Sequence, residues 1–175
     1  MINSGPVILA SNHQSYLDPP LIGIVARRAI FFLARKTLLE GAFLGWLLPK
    51  LNVIPVDQEG GDRNALKILI RLLKGGEGVL IFPEGERTRD GQLGAALPGL
   101  GFVIAKTSAP VVPMRIFGAR EALPRGSQWI RLHPITIVVG EPIYLTQSEL
   151  DLPGKELYGQ LSQRVMDAIS ALSID

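Results

Sequence analysis

The stretch Val7-Ile8-Leu9-Ala10-Ser11-Asn12-His13-Gln14-Ser15-Tyr16-Leu17-Asp18-Pro19-Pro20 decides the fold. Its apolar run over 7–10 predicts a strand, and the polar residues behind it predict a loop carrying His13. Asp18-Pro19-Pro20 then opens a helix to about residue 27, with Asp18 as N-cap and proline where the first helical N–H groups lack partners anyway. The same alternation continues outward. Strands are expected over 30–34, 53–56, 79–82 and 111–117, with one or two more within 130–139. Helices are expected over 38–51, over 62–74 (capped by Asp62 and ended by Gly75-Gly76), over 100–107 and over 155–172. The last places Leu157, Leu161, Val165, Ala168, Ile169 and Leu172 on one face. Residues 118–128 read as a polar connection. The expectation is one α/β domain over 1–175, a central, mostly parallel or mixed sheet flanked by helices.

Bulk properties narrow the chemistry. A chain of 175 residues that is 47% hydrophobic is large enough for a substantial core. It has no cysteine, which excludes disulfides, thiolate catalysis and Cys-based metal centres. No signal peptide precedes Pro6, and no run approaches the ~20 apolar residues of a membrane span, so a cytoplasmic location is expected. The net charge of +2 is uneven. Residues 1–136 hold 16 of the 18 Lys and Arg and 10 of the 16 acids, a balance of +6, leaving −4 for the remainder. A basic body suits an anionic ligand or membrane; without aromatics interleaved among the arginines, nucleic acid is not expected.

Two strand-end loops carry the chemistry, in the place where α/β sheets gather ligands. In the first, His13 can take a proton near neutral pH, and Asp18 can fix its tautomer if the loop turns back. One carboxylate oxygen would cap the helix while the other faces the ring. In the second, Phe82-Pro83-Glu84-Gly85-Glu86-Arg87-Thr88, Gly85 permits a turn closed to other residues. Arg87 offers a planar fork for phosphate oxygens, with Arg89 a possible second cation. The blander alternatives are a structural histidine and a solvated Glu84–Arg87 pair. Gly99-Leu100-Gly101 begins like a dinucleotide fingerprint, but Ile104 occupies its third glycine position. There is no Walker loop and no Gly-x-Ser-x-Gly elbow, and Ser15 is only a faint nucleophile candidate. With two histidines in the chain, no metal site is expected, and His133 reads as a structural residue of a late strand.

Asn12-His13 through Asp18 and Phe82 through Thr88 resemble the HxxxxD and FPEG motifs of the phospholipid and glycerol acyltransferase family. Val53-Ile54-Pro55-Val56-Asp57-Gln58 and Val112-Pro113-Met114 resemble two further blocks in the same order, and the likeness reaches from about residue 6 to 143. The resemblance implies a glycerol-phosphate acyltransferase-like fold and transfer of an acyl group from acyl-CoA or acyl carrier protein to a lysophospholipid hydroxyl. The preferred acceptor would be 1-acylglycerol-3-phosphate, with no bound cofactor. It implies His13 as general base, Asp18 as its orienting partner, and Glu84, Gly85 and Arg87 as the acceptor-phosphate loop. Two departures stand out. Gln58 replaces a common arginine, and Glu86 replaces a small residue, so a weaker demand for a doubly charged phosphate is expected. Arg63 would compensate if its helix starts near the pocket.

Starting six residues before its first strand, the chain is expected to lack the N-terminal hydrophobic or helical segment that relatives commonly carry. Two stretches bear on membranes instead. The apolar run 38–51 with Trp46 would lie in the interface or line an acyl pocket, and Arg63, Lys67, Arg71 and Lys74 form a basic stripe at helical spacing. The expected protein is an O-acyltransferase, peripheral on the inner face of the cytoplasmic membrane. Backbone amides near the histidine loop would hold the oxyanion. A non-catalytic lipid-binding domain and an acyl-thioester hydrolase are the alternatives.

Overall fold

The structure, a computed structural model, describes residues 2–37, 51–56, 61–127, 129–150 and 152–174. Six strands form one sheet: β1 (Val7–Ser11), β2 (Ile30–Arg35), β3 (Val53–Val56), β4 (Gly78–Ile81), β5 (Val111–Phe117) and β6 (Thr136–Val139). Their order is β3-β2-β4-β1-β5-β6, parallel except for the β5–β6 pair. Central β1 is buried at every position, as a parallel strand covered on both faces must be. Its alternate side chains divide the core: Ile8 and Ala10 join one apolar cluster, Val7 and Leu9 the other.

The helices are α1 (Asp18–Ala26), α2 (Gly61–Lys74), α3 (Gly99–Thr107), α4 (Ala119–Ala122), α5 (Gln147–Leu150) and α6 (Gly154–Ala171). α1 buries Ile22 and Ala26 beside Val7 and Leu9, whereas α2, α3 and α6 pack on the face of Ile8 and Ala10. The crossovers β1–α1–β2 and β4–α3–β5 run in opposite directions along the sheet. With a common handedness they fall on opposite faces and leave a crevice at the carboxyl ends of β1 and β4. α2 exposes Arg63, Lys67, Arg71 and Lys74 while burying Leu69 and Leu73, so the basic stripe is its solvated face.

Several expectations are corrected. The helix start at Asp18 is observed, but the N-cap is Leu17 and Asp18 is the first helical residue; its carboxylate serves the preceding loop. Of the one or two strands expected within 130–139, one is present, Thr136–Val139. His133 lies before it, exposed, with Nδ1 3.0 Å from the Pro134 carbonyl. The connection over 118–128 contains α4. α6 fully buries Ser162 and Met166 and leaves Ala168 and Leu172 half-buried; the tight approach to α3 at Gly101 accounts for the small side chain of Ser162. Residues 38–50 of the expected apolar helix, Asp57, Gln58 and the side chain of Asp62 lie outside the described residues.

Gly101 illustrates that approach. Its N–H donates to Ser162 Oγ at 2.8 Å, and a Cβ there would overlap the Tyr158 backbone carbonyl. Helix packing, rather than nucleotide binding, accounts for the glycine. Gly23, inside α1, has open space where a Cβ would go. Gly101→Ala is therefore expected to destabilise by about 1–3 kcal/mol through overpacking. Gly23→Ala is expected to stabilise by roughly 0.5–1 kcal/mol through helix propensity. Denaturant midpoints check both signs; equal shifts would contradict the packing described.

Candidate active site

Register brings the two loops level. Ala10 sits beside Ile81 in the parallel β1–β4 pair, so His13 and Glu84, each three residues farther on, emerge together. The His13 N–H donates to Glu84 Oε1 at 2.9 Å, and the Thr88 N–H donates to the His13 carbonyl at 2.8 Å. Glu84 Oε2 accepts the Gly94 N–H at 2.9 Å. Glu84 is thus a clamp on backbone rather than a free phosphate ligand, and as an anion it would repel one. Gly85, at φ 74°, supplies the turn; a Cβ there would press on Leu97. On the other flank, Asn12 continues the sheet with its side chain. Its Nδ2 donates to the Ile116 carbonyl at 3.0 Å, and its Oδ1 accepts the Ile116 N–H at 2.7 Å.

The Asp18 carboxylate is fully buried. One oxygen, Oδ2, accepts from His13 Nδ1 at 2.8 Å and from the Gln14 and Ser15 N–H groups at 2.6 and 2.7 Å. A carboxylate only accepts, so the ring proton sits on Nδ1 and the Nε2 lone pair is left free. Phe82 stacks beneath the imidazole, centroids 3.9 Å apart and planes 11° from parallel. The histidine side chain is 17% exposed, rigidly mounted yet open on one side. These bonds occupy the amides of His13, Gln14 and Ser15, so the expected oxyanion donors are not among them. Ser15 is no nucleophile either: its buried hydroxyl donates to the Leu123 carbonyl at 2.9 Å and accepts the Leu17 N–H.

Arg87 lies with its guanidinium carbon 3.6 Å from the Tyr16 ring centroid, a stacked cation–π arrangement rather than a pair with Glu84. Burial lowers its pKa below the usual arginine value; the like charge of Arg125 pushes the same way and Tyr16 opposes both. It remains a cation at neutral pH. Arg87 Nη1, Gln14 Oε1 and Asp18 Oδ1 are buried without a hydrogen-bond partner among the described residues. Arg125 Nη1 donates to the Arg87 carbonyl at 3.2 Å and faces Glu86 Oε2 at 3.8 Å, an exposed pair of little energetic value.

His13, Tyr16, Arg63, Gly85, Glu86, Arg87 and Arg125 share the wall of one cavity of about 920 Å³. Its remaining wall is largely apolar, including Phe32, Leu66, Leu69, Leu80, Leu97 and Phe102. Arg63, exposed at the start of α2, therefore lines the same cavity as His13. Arg89 does not line that cavity; it lines an adjoining recess that shares Glu86 and Arg87 with it. Tyr16 and Arg125 escaped the sequence reading. Tyr16 stood inside the first motif without an assigned task, and Arg125 was hidden in a connection that read only as polar. The clamp geometry predicts that Glu84→Ala lowers kcat and stability, since it leaves the part-buried His13 N–H without its acceptor, about 1–3 kcal/mol if it stays buried, whereas the exposed Gly94 N–H turns to water. It should not selectively raise the KM of an anionic substrate. A selective KM effect in a stably folded variant would instead make Glu84 a ligand residue.

Comparison with known proteins follows the same lines. The family model described as Acyltransferase matches residues 1–117. A chloroplastic 1-acyl-sn-glycerol-3-phosphate acyltransferase of Brassica napus is 31% identical over 148 residues, covering 83% of this chain and 43% of the relative. The 1-acyl-sn-glycerol-3-phosphate acyltransferase of Bacillus subtilis is 28% identical over 167 residues, covering 94% of this chain and 80% of that one. The chain thus spans less than half the length of the plant relative. Among solved structures, the 1-acyl-sn-glycerophosphate acyltransferase PlsC of Thermotoga maritima superposes with a TM-score of 0.70 at 25% identity, over 98% of this chain and 69% of that one. With the family model covering two thirds of its length, both loops included, the chain belongs to the acyltransferase family.

Proposed function

We propose that the protein is an O-acyltransferase of phospholipid synthesis, moving a fatty acyl group from a thioester to the free hydroxyl of a lysophospholipid. The observation that carries this is the His13 Nδ1–Asp18 contact of 2.8 Å on the wall of a cavity that also holds Arg87 and an apolar arm. Asp18 keeps the Nε2 lone pair available and stabilises the imidazolium once it forms. As the acceptor oxygen bonds to the thioester carbonyl carbon, its proton passes to His13 Nε2. Collapse of the tetrahedral intermediate breaks the carbon–sulfur bond, and His13 returns the proton to the departing thiolate. Acyl-CoA and acyl carrier protein both present such a thioester. The names of the relatives favour 1-acylglycerol-3-phosphate as acceptor.

The polar end of the cavity suits that acceptor. Arg87, pressed against Tyr16, brings its charge to the wall for a phosphate, and Arg125 and Arg63 add charge along the same wall. Glu86 partly offsets Arg125, which fits a site that accepts a phosphorylated lysolipid without requiring a doubly charged phosphomonoester. The apolar arm suits an acyl chain.

The test is acceptor-dependent release of free thiol from acyl-CoA and from acyl carrier protein, with lysophosphatidate and a zwitterionic lysophospholipid compared. Thiol release is expected to require an acceptor. Acceptor-independent release would make the protein a thioester hydrolase, and no release in a protein that binds lysolipid would make it a lipid-binding domain. Arg87→Ala is expected to raise the KM for lysophosphatidate about 10- to 100-fold, the size of a charge-assisted hydrogen bond. Arg87→Lys should recover part of it, because an ammonium keeps charge but loses the fork. An unchanged KM would remove Arg87 from the phosphate site.

A further inference from the structure

Residues 118–135 leave and re-enter the sheet at its carboxyl edge, since Phe117 pairs with Thr136. The His13 loop and the 82–88 loop leave from that same edge. Within four positions of this excursion, three large apolar side chains stand in solvent: Trp129 is 82% exposed, Ile130 61% and Leu132 107%. Single exposed apolar residues are ordinary surface. Three in one short segment make a projecting patch that water disfavours and a partner would cover. Its backbone is tied down at both sides. The Trp129 N–H donates to Ser127 Oγ at 3.2 Å, that hydroxyl donates to the Trp129 carbonyl at 3.1 Å, and the Arg131 N–H donates to the Ala122 carbonyl at 2.7 Å.

Charge surrounds the patch. The excursion holds Arg120, Arg125 and Arg131 against one acid, Glu121. Arg125 lines the cavity that contains His13, and the four residues from it to Trp129 span at most about 14 Å. Half-exposed Leu97 stands on the wall of the same cavity.

We propose that residues 129–132 form a ridge that docks the protein on an anionic lipid surface, Trp129, Ile130 and Leu132 entering the headgroup–acyl boundary while Arg125 and Arg131 meet lipid phosphates. Apolar side chains at the tip of a cationic segment, with a tryptophan among them, match the interfacial pattern. Arginines beside the membrane surface add attraction to anionic lipid. An acidic protein partner would also cover apolar side chains inside a charged rim; the lipid surface is favoured because the neighbouring cavity is proposed to take a lipid, and the protein partner is an outcome of the test. Docking by this segment would hold Arg125, which lines the cavity, within about 14 Å of the lipid surface. The ridge is independent of the chemistry assigned to His13, and its binding is measured without substrate.

Sedimentation with vesicles of phosphatidylglycerol and phosphatidylcholine, and of phosphatidylcholine alone, tests it. The wild type is expected to partition onto the anionic vesicles, and W129S/I130S/L132S to partition at least about tenfold more weakly. Arg131→Glu should weaken partition roughly fivefold on anionic vesicles and little on neutral ones. Because all four side chains are exposed, unfolding curves should match the wild type, and turnover of a short-chain, monomerically dissolved acceptor should be retained. Unchanged vesicle partition in the triple variant would overturn the proposal. So would a wild type that ignores both vesicles while an acidic carrier protein shields Trp129 from a soluble quencher.

Discussion

A carboxylate with no solvent exposure sits at the start of α1, and the site is arranged around satisfying it. Burying such a charge is costly unless donors converge on it, and Asp18 Oδ2 gathers three from the preceding five residues. That demand folds the His13 loop back onto the helix, orients the imidazole, and leaves Nε2 as the ring's open nitrogen. The positive end of the helix favours the same charge. One local constraint thereby joins the end of the central strand, the start of a helix and a histidine.

A second carboxylate extends the scheme across the sheet. Glu84 binds the His13 amide on one side and the Gly94 amide on the other, so the two strand-end loops act as one piece. The arrangement has a consequence for catalysis: the amides nearest the histidine are already committed to holding it. Charge is then concentrated in arginines. Arg87 is held against Tyr16 with no acid bonded to it among the described residues, and its Nη1 is buried without a partner there. In the proposed reading, an acceptor phosphate would supply that partner. The rest of the cavity wall is largely apolar, which is why an amphipathic lipid is the ligand proposed for it.

The alternation of apolar runs with helical patterns made the strands and helices legible, because parallel strands buried on both faces have to be apolar throughout. His13, Asp18 and Arg87 were legible as residues of strand-end loops. Their geometry was not. Asp18 reads equally well as a helix cap, and only the chain's reversal decides that its oxygen serves the loop instead. Glu84 reads as part of an ion pair, since its partners are backbone amides that carry no sequence signature. Gly101 imitates a nucleotide motif because close helix packing and close phosphate approach both require a missing side chain. Tyr16 and Arg125 matter through tertiary contacts, with no periodicity to mark them.

The account holds that an imidazole oriented by a buried carboxylate removes the acceptor's proton. The most direct measurement is acceptor-dependent thiol release by His13→Ala, made on protein whose unfolding curve matches the wild type. A loss of about 10²–10⁴-fold, the usual contribution of a positioned general base, is the predicted result. Turnover close to the wild-type rate in the folded variant would contradict it.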